Sequence, residues 1–203
     1  MILLPFFLQV YRLFGLKIQF FTFIFDTQEI SYTIFFPKGM MIMIYTDTHL
    51  HTSFSSDSDT PMELMIKKGI ELGMKTLCFT EHYDPCYPDT PDKLDFLLDF
   101  ENYKKTLFSL KEKYASQIEI LYGLELGVQP HLGRTLANFY KKYGNDFDFI
   151  INSCHIVNGM DPYYGTYFKE MGATRGLMNY FETILSNLKV FPHYQSVGPL
   201  DYV

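Results

Sequence analysis

Two histidines in the segment 45–57 have the spacing of a metal site. His49 and His51 follow the apolar run 41–45, and Asp57 lies a few residues further along the chain. In an extended strand the side chains of residues i and i+2 point to the same face, so the two imidazoles should converge where the strand ends. Imidazole and carboxylate groups are ligands for zinc, iron and manganese. An isolated His-x-His also occurs as a pair of surface histidines, so this motif alone does not decide the chemistry.

Three further apolar runs, which we predict to be strands, also end in residues that can bind metals. His82 follows the first run, Glu125 the second and His155 the third. Histidines that merely fill a core would not recur at the ends of four successive strands. The recurrence therefore favours a metal centre assembled from several strands.

The order of the elements predicts an α/β fold. Strand and helix alternate in steps of roughly 20 to 35 residues, which is typical of parallel β/α units. Ligands at the carboxyl ends of four successive strands favour a β/α barrel over an open doubly wound sheet, although such a sheet also binds ligands at its strand ends. The predicted strands lie at 75–80, 118–125, 147–152 and from 195, and the predicted helices lie at 100–115, 131–143 and 173–189.

Two helices carry more specific predictions. Thr60, Pro61 and Glu63 have the pattern of a capping box, with Thr60 as the N-cap of the first helix. The apolar residues of the last helix are expected to face inward. They are Leu177, Tyr180, Phe181, Ile184, Leu185 and Leu188.

Composition limits the class of protein. A chain of 203 residues can form one domain with a substantial core. The net charge of −6 argues against binding to a nucleic-acid backbone. The three cysteines have no paired spacing, which is typical of reduced thiols in a cytoplasmic protein, and we do not expect membrane binding. Cys154 adjoins His155 but should point to the opposite face of its strand, into the core.

Residues 1–42 differ from the rest of the chain. They contain nine of the 20 phenylalanines, yet polar residues interrupt the apolar run too often for a standard spanning helix. Three interpretations stay open: upstream DNA that is translated here, a membrane anchor, or an extra packed element. The first is favoured because the codons for Lys38 and Gly39 would read as a ribosome-binding sequence before Met43. We therefore expect a dispensable extension at 1–42 and one domain at 43–203.

The ordered set of motifs resembles the PHP (polymerase and histidinol phosphatase) family, and within it the histidinol-phosphatase branch. The resemblance implies a distorted seven-stranded β/α barrel that holds up to three divalent metals, which would be zinc, iron or manganese. It also implies hydrolysis of a small-molecule phosphate ester, L-histidinol phosphate, to L-histidinol and phosphate in histidine biosynthesis. The matching segments are 47–51, Asp57, 80–82, 123–125, 154–155 and 158–164.

The resemblance also implies roles for individual residues. Glu81 would support the metal ligands without binding metal itself. Apart from the resemblance, Arg134 and Arg175 are the arginines considered for contacts with the substrate phosphate, and both fit surface residues better than phosphate ligands. The implied ligands, grouped by metal, are His49, His51 and Glu125; Glu125 and His155; and Asp57 and His82.

The chain departs from the family pattern near its end. The family has Gly-His-Leu-Asp where this chain has 198–201, and Pro199 offers no donor atom in place of the histidine. His193 lies nearby but precedes the strand, so it is a poor substitute. The resemblance implies a further Asp-x-His and an arginine beyond residue 203. We therefore expect a C-terminally truncated barrel with impaired activity; the alternatives are a phosphoesterase for another ester, or an inactive metal-binding remnant.

Overall fold

The computed structural model describes residues 8–13, 16–21, 34–35, 41–42, 45–89, 91–200 and 202, and below residue 45 it describes the backbone alone. The chain divides into two compact units, Met1–Thr46 and Asp47–Val203. Among the described residues, no helix combines the length and apolar composition needed to cross a bilayer.

The first unit contains a four-stranded antiparallel sheet whose strands pair in sequence order. Leu13 pairs with Leu16, so the first two strands are joined by a short connection. The three interpretations of residues 1–42 depend on features that lie outside the described residues, and they stay predictions. The strands are β1 Leu8–Leu13, β2 Leu16–Phe21, β3 Ile34–Phe35 and β4 Met41–Ile42.

The second unit has a five-stranded parallel sheet in sequence order, with helices in the connections. This confirms the α/β class, while the count of seven strands stays a prediction. The strands are β5 Thr46–Leu50, β6 Thr76–Tyr83, β7 Glu119–Gly127, β8 Phe149–Ser153 and β9 Ser196–Val197. The helices are α1 Met62–Glu71, α2 Phe100–Tyr114, α3 Gly133–Tyr143, α4 Thr166–Met171 and α5 Ala173–Val190.

Strands β6 and β7 extend further than the sequence predicted. Their parallel ladder continues through the pairs His82–Glu125 and Tyr83–Leu126. The polar residues near the ends of these strands therefore belong to the sheet and do not lie in loops. This fixes their backbone positions, which is the first requirement for a precise site.

The main core surrounds the apolar part of the sheet. Phe79, Tyr122 and Leu124 are almost fully buried there, against residues of α1, α2 and α3. A second cluster gathers Cys154 with Tyr180 and other residues of the α4–α5 region. Cys154 thus lies in the core, as the sequence predicted.

The predicted capping box is wrong. Helix α1 begins at Met62 with Pro61 as its N-cap, and no side chain caps it. Glu63 instead reaches α2, where its Oε1 accepts hydrogen bonds from Lys113 Nζ at 2.8 Å and from the Tyr114 hydroxyl at 2.6 Å. A tertiary contact has replaced the local one that the pattern favoured.

The prediction for the last helix is wrong in part. Tyr180 and Ile184 are buried, but Leu177, Phe181 and Leu185 are 41%, 45% and 60% exposed. These residues are four positions apart and share one helix face. The apolar arc of α5 is thus wider than the surface that packs against it.

Candidate metal centre

Parallel strands bring the predicted residues to one edge of the sheet. His49 is in β5, His82 in β6 and Glu125 in β7, while His155 follows β8 by two residues. His82 and Glu125 are direct neighbours in the β6–β7 register. The site is therefore built from four consecutive strands of one sheet.

The buried Glu125 carboxylate lies at the centre of four imidazoles. Its Oε2 is 2.8 Å from Nε2 of His49, 3.1 Å from Nε2 of His51 and 3.6 Å from Nε2 of His82. Its Oε1 is 3.1 Å from Nε2 of His155. As predicted, His49 and His51 converge on one point.

Asp57 and His82 form a second pair at the mouth of the site. Asp57 Oδ2 lies 3.3 Å from His82 Nε2. The ring of His51 stacks on that of His82 with centroids 4.3 Å apart. The Asp57 pair is therefore continuous with the four imidazoles around Glu125.

Glu81 is fully buried and holds the loop that carries His51 and Asp57. Both carboxylate oxygens accept the backbone N–H of Thr52, and they also accept the hydroxyls of Thr52 and Ser55. Ser55 Oγ in turn accepts the N–H of His82 at 3.0 Å. These contacts leave Glu81 facing the loop, in agreement with a supporting role.

Opposite charges shift the pKa values of the two central groups. Burial alone would raise the pKa of Glu125, but the charge of His155 and hydrogen bonds from three imidazoles hold it well below its usual value. Burial alone would lower the pKa of His82. Hydrogen bonds to Asp57 and Asp84, with the charge of Glu125, outweigh that effect and raise the pKa to about 9. Without metal, protons on His82 and His155, whose pKa values are both raised, balance two of the three carboxylates Asp57, Asp84 and Glu125, whose pKa values are lowered.

The same donors fit a divalent cation. Three groups have ligand atoms within 4.8 Å of one another: His49, His51 and Glu125; His51, Asp57 and His82; and His82, Glu125 and His155. Nitrogen and carboxylate donors of this kind suit zinc, iron or manganese. His51 Nδ1 is buried without a hydrogen-bond partner. Nε2 of His51 faces Glu125 Oε2, so a cation held by both residues would use that nitrogen.

The sequence did not predict the residues that support Glu125 and the histidines around it. Ser153 Oγ donates to Glu125 Oε1 at 2.6 Å. Gly198 makes room for this hydroxyl, because a Cβ there would lie 2.1 Å from Ser153 Oγ. Asp84 contacts two histidines and was not predicted as a site residue. Its position two residues after His82, just past the end of β6, was the available signal.

A carboxylate outside the metal cluster links three loops beside it. Asp161 is buried and accepts the hydroxyls of Tyr87 and Tyr202 and the N–H of Tyr163. The ring of Tyr202 lies 5.2 Å from that of His155. Asp161 therefore joins the segments that follow β6, β8 and β9.

Four other residues considered from the sequence have no described contact with this cluster. Arg134 and Arg175 are exposed, on α3 and in the first turn of α5, and no described contact links either to the cluster. His193 is exposed and stacks on Tyr140 at 3.9 Å. Pro199 is also exposed, and its carbonyl accepts the Tyr180 hydroxyl.

Known proteins resemble this chain over most of its length. A probable histidinol-phosphatase of Clostridium acetobutylicum is 32% identical over 160 residues, which are 77% of this chain and 57% of the relative. The histidinol-phosphatase of Lactococcus lactis is 30% identical over 158 residues, with coverage of 77% and 56%. The chain thus spans somewhat more than half the length of these relatives.

A solved structure has the same fold over the matched region. It is histidinol phosphate phosphatase from Lactococcus lactis, complexed with zinc, L-histidinol and phosphate. The match has a TM-score of 0.71 and 28% identity, and it covers 78% of this chain and 58% of that one. The family model described as PHP domain matches residues 47–203, which include every residue of the cluster. The chain belongs to the PHP domain family.

Proposed function

We propose that the cluster around Glu125 binds divalent metals and supports hydrolysis of a phosphate monoester, with L-histidinol phosphate as the substrate. The observation that carries this proposal is one buried carboxylate contacted by four imidazoles from three separate segments. The proposed ligands are His49, His51, Asp57, His82, Glu125 and His155. Up to three ions of zinc, iron or manganese would share them.

Charge explains why a metal is needed. Asp57 and Glu125 have lowered pKa values: burial opposes the shift in each, and imidazole contacts outweigh it, so both are anionic at neutral pH. Among the described ion pairs, no lysine or arginine contacts either carboxylate. A phosphate dianion would be repelled by this site unless cations were added. The chain's residues therefore supply ligands, and positive charge beyond that of His82 and His155 must come from elsewhere.

The reaction is attack of water on phosphorus with loss of the alcohol. A bound divalent metal would lower the pKa of water and stabilise charge on the phosphoryl oxygens. The chain fixes the donors: Ser153 holds Glu125, and Glu81 holds the loop that carries His51 and Asp57. Rigid donors keep the ions at a constant spacing, which the slow hydrolysis of a monoester requires.

The substrate assignment is supported by relatives. Both curated proteins described above are named histidinol-phosphatases, and the matched crystal structure contains L-histidinol and phosphate. The same cluster could act on another phosphate ester, because nothing in the donor set selects the alcohol. A panel of phosphomonoesters that includes L-histidinol phosphate separates the two.

A metal-binding chain with little activity is the second candidate. The observation that favours it is Pro199, which has no donor atom where the family has a histidine. If this candidate holds, the protein will bind metal while releasing phosphate very slowly. Pro199→His alone should then raise phosphate release only slightly.

The test is phosphate release from L-histidinol phosphate with added Zn²⁺, Mn²⁺ or Fe²⁺, alongside measured metal content. We expect release that depends on metal and disappears in Glu125→Gln. Equal rates with and without chelator, or in Glu125→Gln, would contradict the proposal. Bound metal without any hydrolysis would support the second candidate.

A further inference from the structure

Asp84 directs both oxygens of a buried carboxylate at histidine nitrogens. Its Oδ1 lies 2.6 Å from Nδ1 of His155, and its Oδ2 lies 3.3 Å from Nδ1 of His82. The residue is 2% exposed. One side chain thus connects two imidazoles that come from the ends of different strands.

These contacts fix how both rings are presented. The Asp84 carboxylate only accepts hydrogen bonds, so Nδ1 of each ring carries a proton and Nε2 faces the cluster. Nε2 of His155 lies 3.1 Å from Glu125 Oε1, and Nε2 of His82 lies 3.3 Å from Asp57 Oδ2. Histidines that bind metals commonly donate the other ring nitrogen to a carboxylate in this way.

The surroundings of Asp84 allow it little freedom. Its backbone N–H donates to the Phe96 carbonyl at 3.0 Å, and its carbonyl accepts the N–H of Tyr87 at 3.2 Å. Gly127 faces the carboxylate: a Cβ there would lie 1.9 Å from Oδ1 and 2.3 Å from Cγ. The side chain therefore occupies a notch that exists because residue 127 is glycine.

Other aspartates in this fold behave differently. Asp99 accepts the backbone N–H of Asn102, and Asp161 accepts that of Tyr163 and the hydroxyls of Tyr87 and Tyr202, so their partners are backbone and tyrosine groups. In the part of the chain that the structure describes, the hydrogen bonds of the Asp84 side chain go only to the two imidazoles. A role limited to loop structure does not account for that choice of partners.

We infer that Asp84 is a positioning residue that holds His82 and His155 with Nε2 toward the metals. The inference rests on the proposed metal site and extends it to a residue that binds no metal. Gly127 contributes to this positioning, because it provides the space for the Asp84 carboxylate.

The first test is a Co²⁺ titration followed by the visible absorption of the bound ion. Asp84→Asn removes the charge, and Gly127→Ala displaces the carboxylate without changing it. We expect each to weaken Co²⁺ binding by about 10- to 100-fold, the range found when carboxylates that support metal ligands are lost. Both should also alter the absorption bands, because the ligand rings are free to turn.

Two matched controls separate this role from general destabilisation. Asp161→Asn changes an equally buried aspartate beside the site. Gly144→Ala introduces a Cβ 2.2 Å from the Tyr140 ring, at the end of α3. Both should keep Co²⁺ affinity within about threefold of wild type, since neither residue contacts a cluster histidine. Wild-type affinity and spectrum in Asp84→Asn would overturn the inference, whereas no Co²⁺ binding by the wild-type chain would overturn the metal site and the inference together.

A measurement on the wild-type chain keeps the inference testable if a variant does not fold. Long-range ¹H–¹⁵N spectra of the histidine rings report which nitrogen carries the proton in the Zn²⁺-loaded protein. We expect Nδ1–H for His82 and His155, with Nε2 shifted by the metal. Metal on Nδ1 of either ring would contradict the assignment.

Discussion

The two ends of strands β6–β8 are both buried, but their buried side chains differ in character. Toward the amino end the buried residues are apolar, as at Leu77, Phe79 and Ile120. Toward the carboxyl end, ionisable side chains are buried as well, as at His82 and Glu125. Burial of apolar surface stabilises the first end, whereas each charge at the second costs free energy unless it finds a partner. The same sheet thus provides stability at one end and chemistry at the other.

If the two ends act independently, a cavity in the apolar end should cost stability and leave metal binding unchanged. Phe79→Ala should lower the free energy of unfolding by about 3–5 kcal/mol, because the ring is fully buried. Urea unfolding measures this, and calorimetry under folding conditions gives the Zn²⁺ affinity. The conservative Phe79→Leu is the control for effects of substitution at this position that do not come from a large cavity. A parallel loss of Zn²⁺ affinity would show that the two ends are coupled.

The second substitution removes the central carboxylate of the ionisable end, Glu125. Glu125→Gln should weaken Zn²⁺ binding by more than about 100-fold, since losing a donor exceeds the effect of losing a supporting residue. Glu119→Gln is the matched control, because Glu119 is an exposed carboxylate in the same strand. Equal loss in both variants would mean that Glu125 acts through general charge and not as a ligand.

A substitution in the loop that carries Asp57 to the cluster should have an effect of intermediate size. Thr52→Val removes the hydroxyl that donates to Glu81 at 2.7 Å and leaves a buried carboxylate oxygen short of a partner. We expect a loss of about 1–2 kcal/mol in the free energy of unfolding. Thr48→Val, at an exposed position of β5, controls for the change of side chain. Equal free energies of unfolding for Thr52→Val and Thr48→Val would contradict the supporting role of Glu81.

We expect the smallest effect on stability outside both ends of the sheet, at the contact between helices α1 and α2. Hydrogen bonds from Lys113, Tyr114 and Lys67 lower the pKa of Glu63 from 4.5 to about 2. A depressed pKa gives stability that is present above pH 4.5 and lost as the pH falls toward 2. Acid unfolding of wild type and Glu63→Gln should therefore diverge least near pH 2 and most above pH 4.5. A constant difference would contradict the pairing.

The sequence predicted the parts of the site that depend on local geometry. The spacing of His49 and His51 indicated a shared face, and the ends of parallel strands indicated a shared edge. Asp84 was missed because its partner His155 is 71 positions away, and their contact depends on the register of three strands. The notch at Gly127 likewise exists only in the folded chain.

Two predictions from local sequence patterns were wrong, the capping box entirely and the inward face of α5 in part. Glu63 fits a capping box, yet hydrogen bonds from Lys113 and Tyr114 on α2 engage it instead. The apolar residues of α5 indicated an inward face, but Leu185 is 60% exposed. Periodicity gives the width of an apolar arc and does not say how much of it a neighbour covers.

The central claim is that the carboxyl end of this sheet is a divalent-metal site. Anomalous scattering at the zinc edge, from crystals of the wild-type chain grown with Zn²⁺, tests it most directly. We predict the strongest anomalous peak among His49, His51 and Glu125, within roughly 2.0–2.2 Å of their nitrogen and oxygen donors. Zinc found only at surface residues, with no peak in this cluster, would contradict the account.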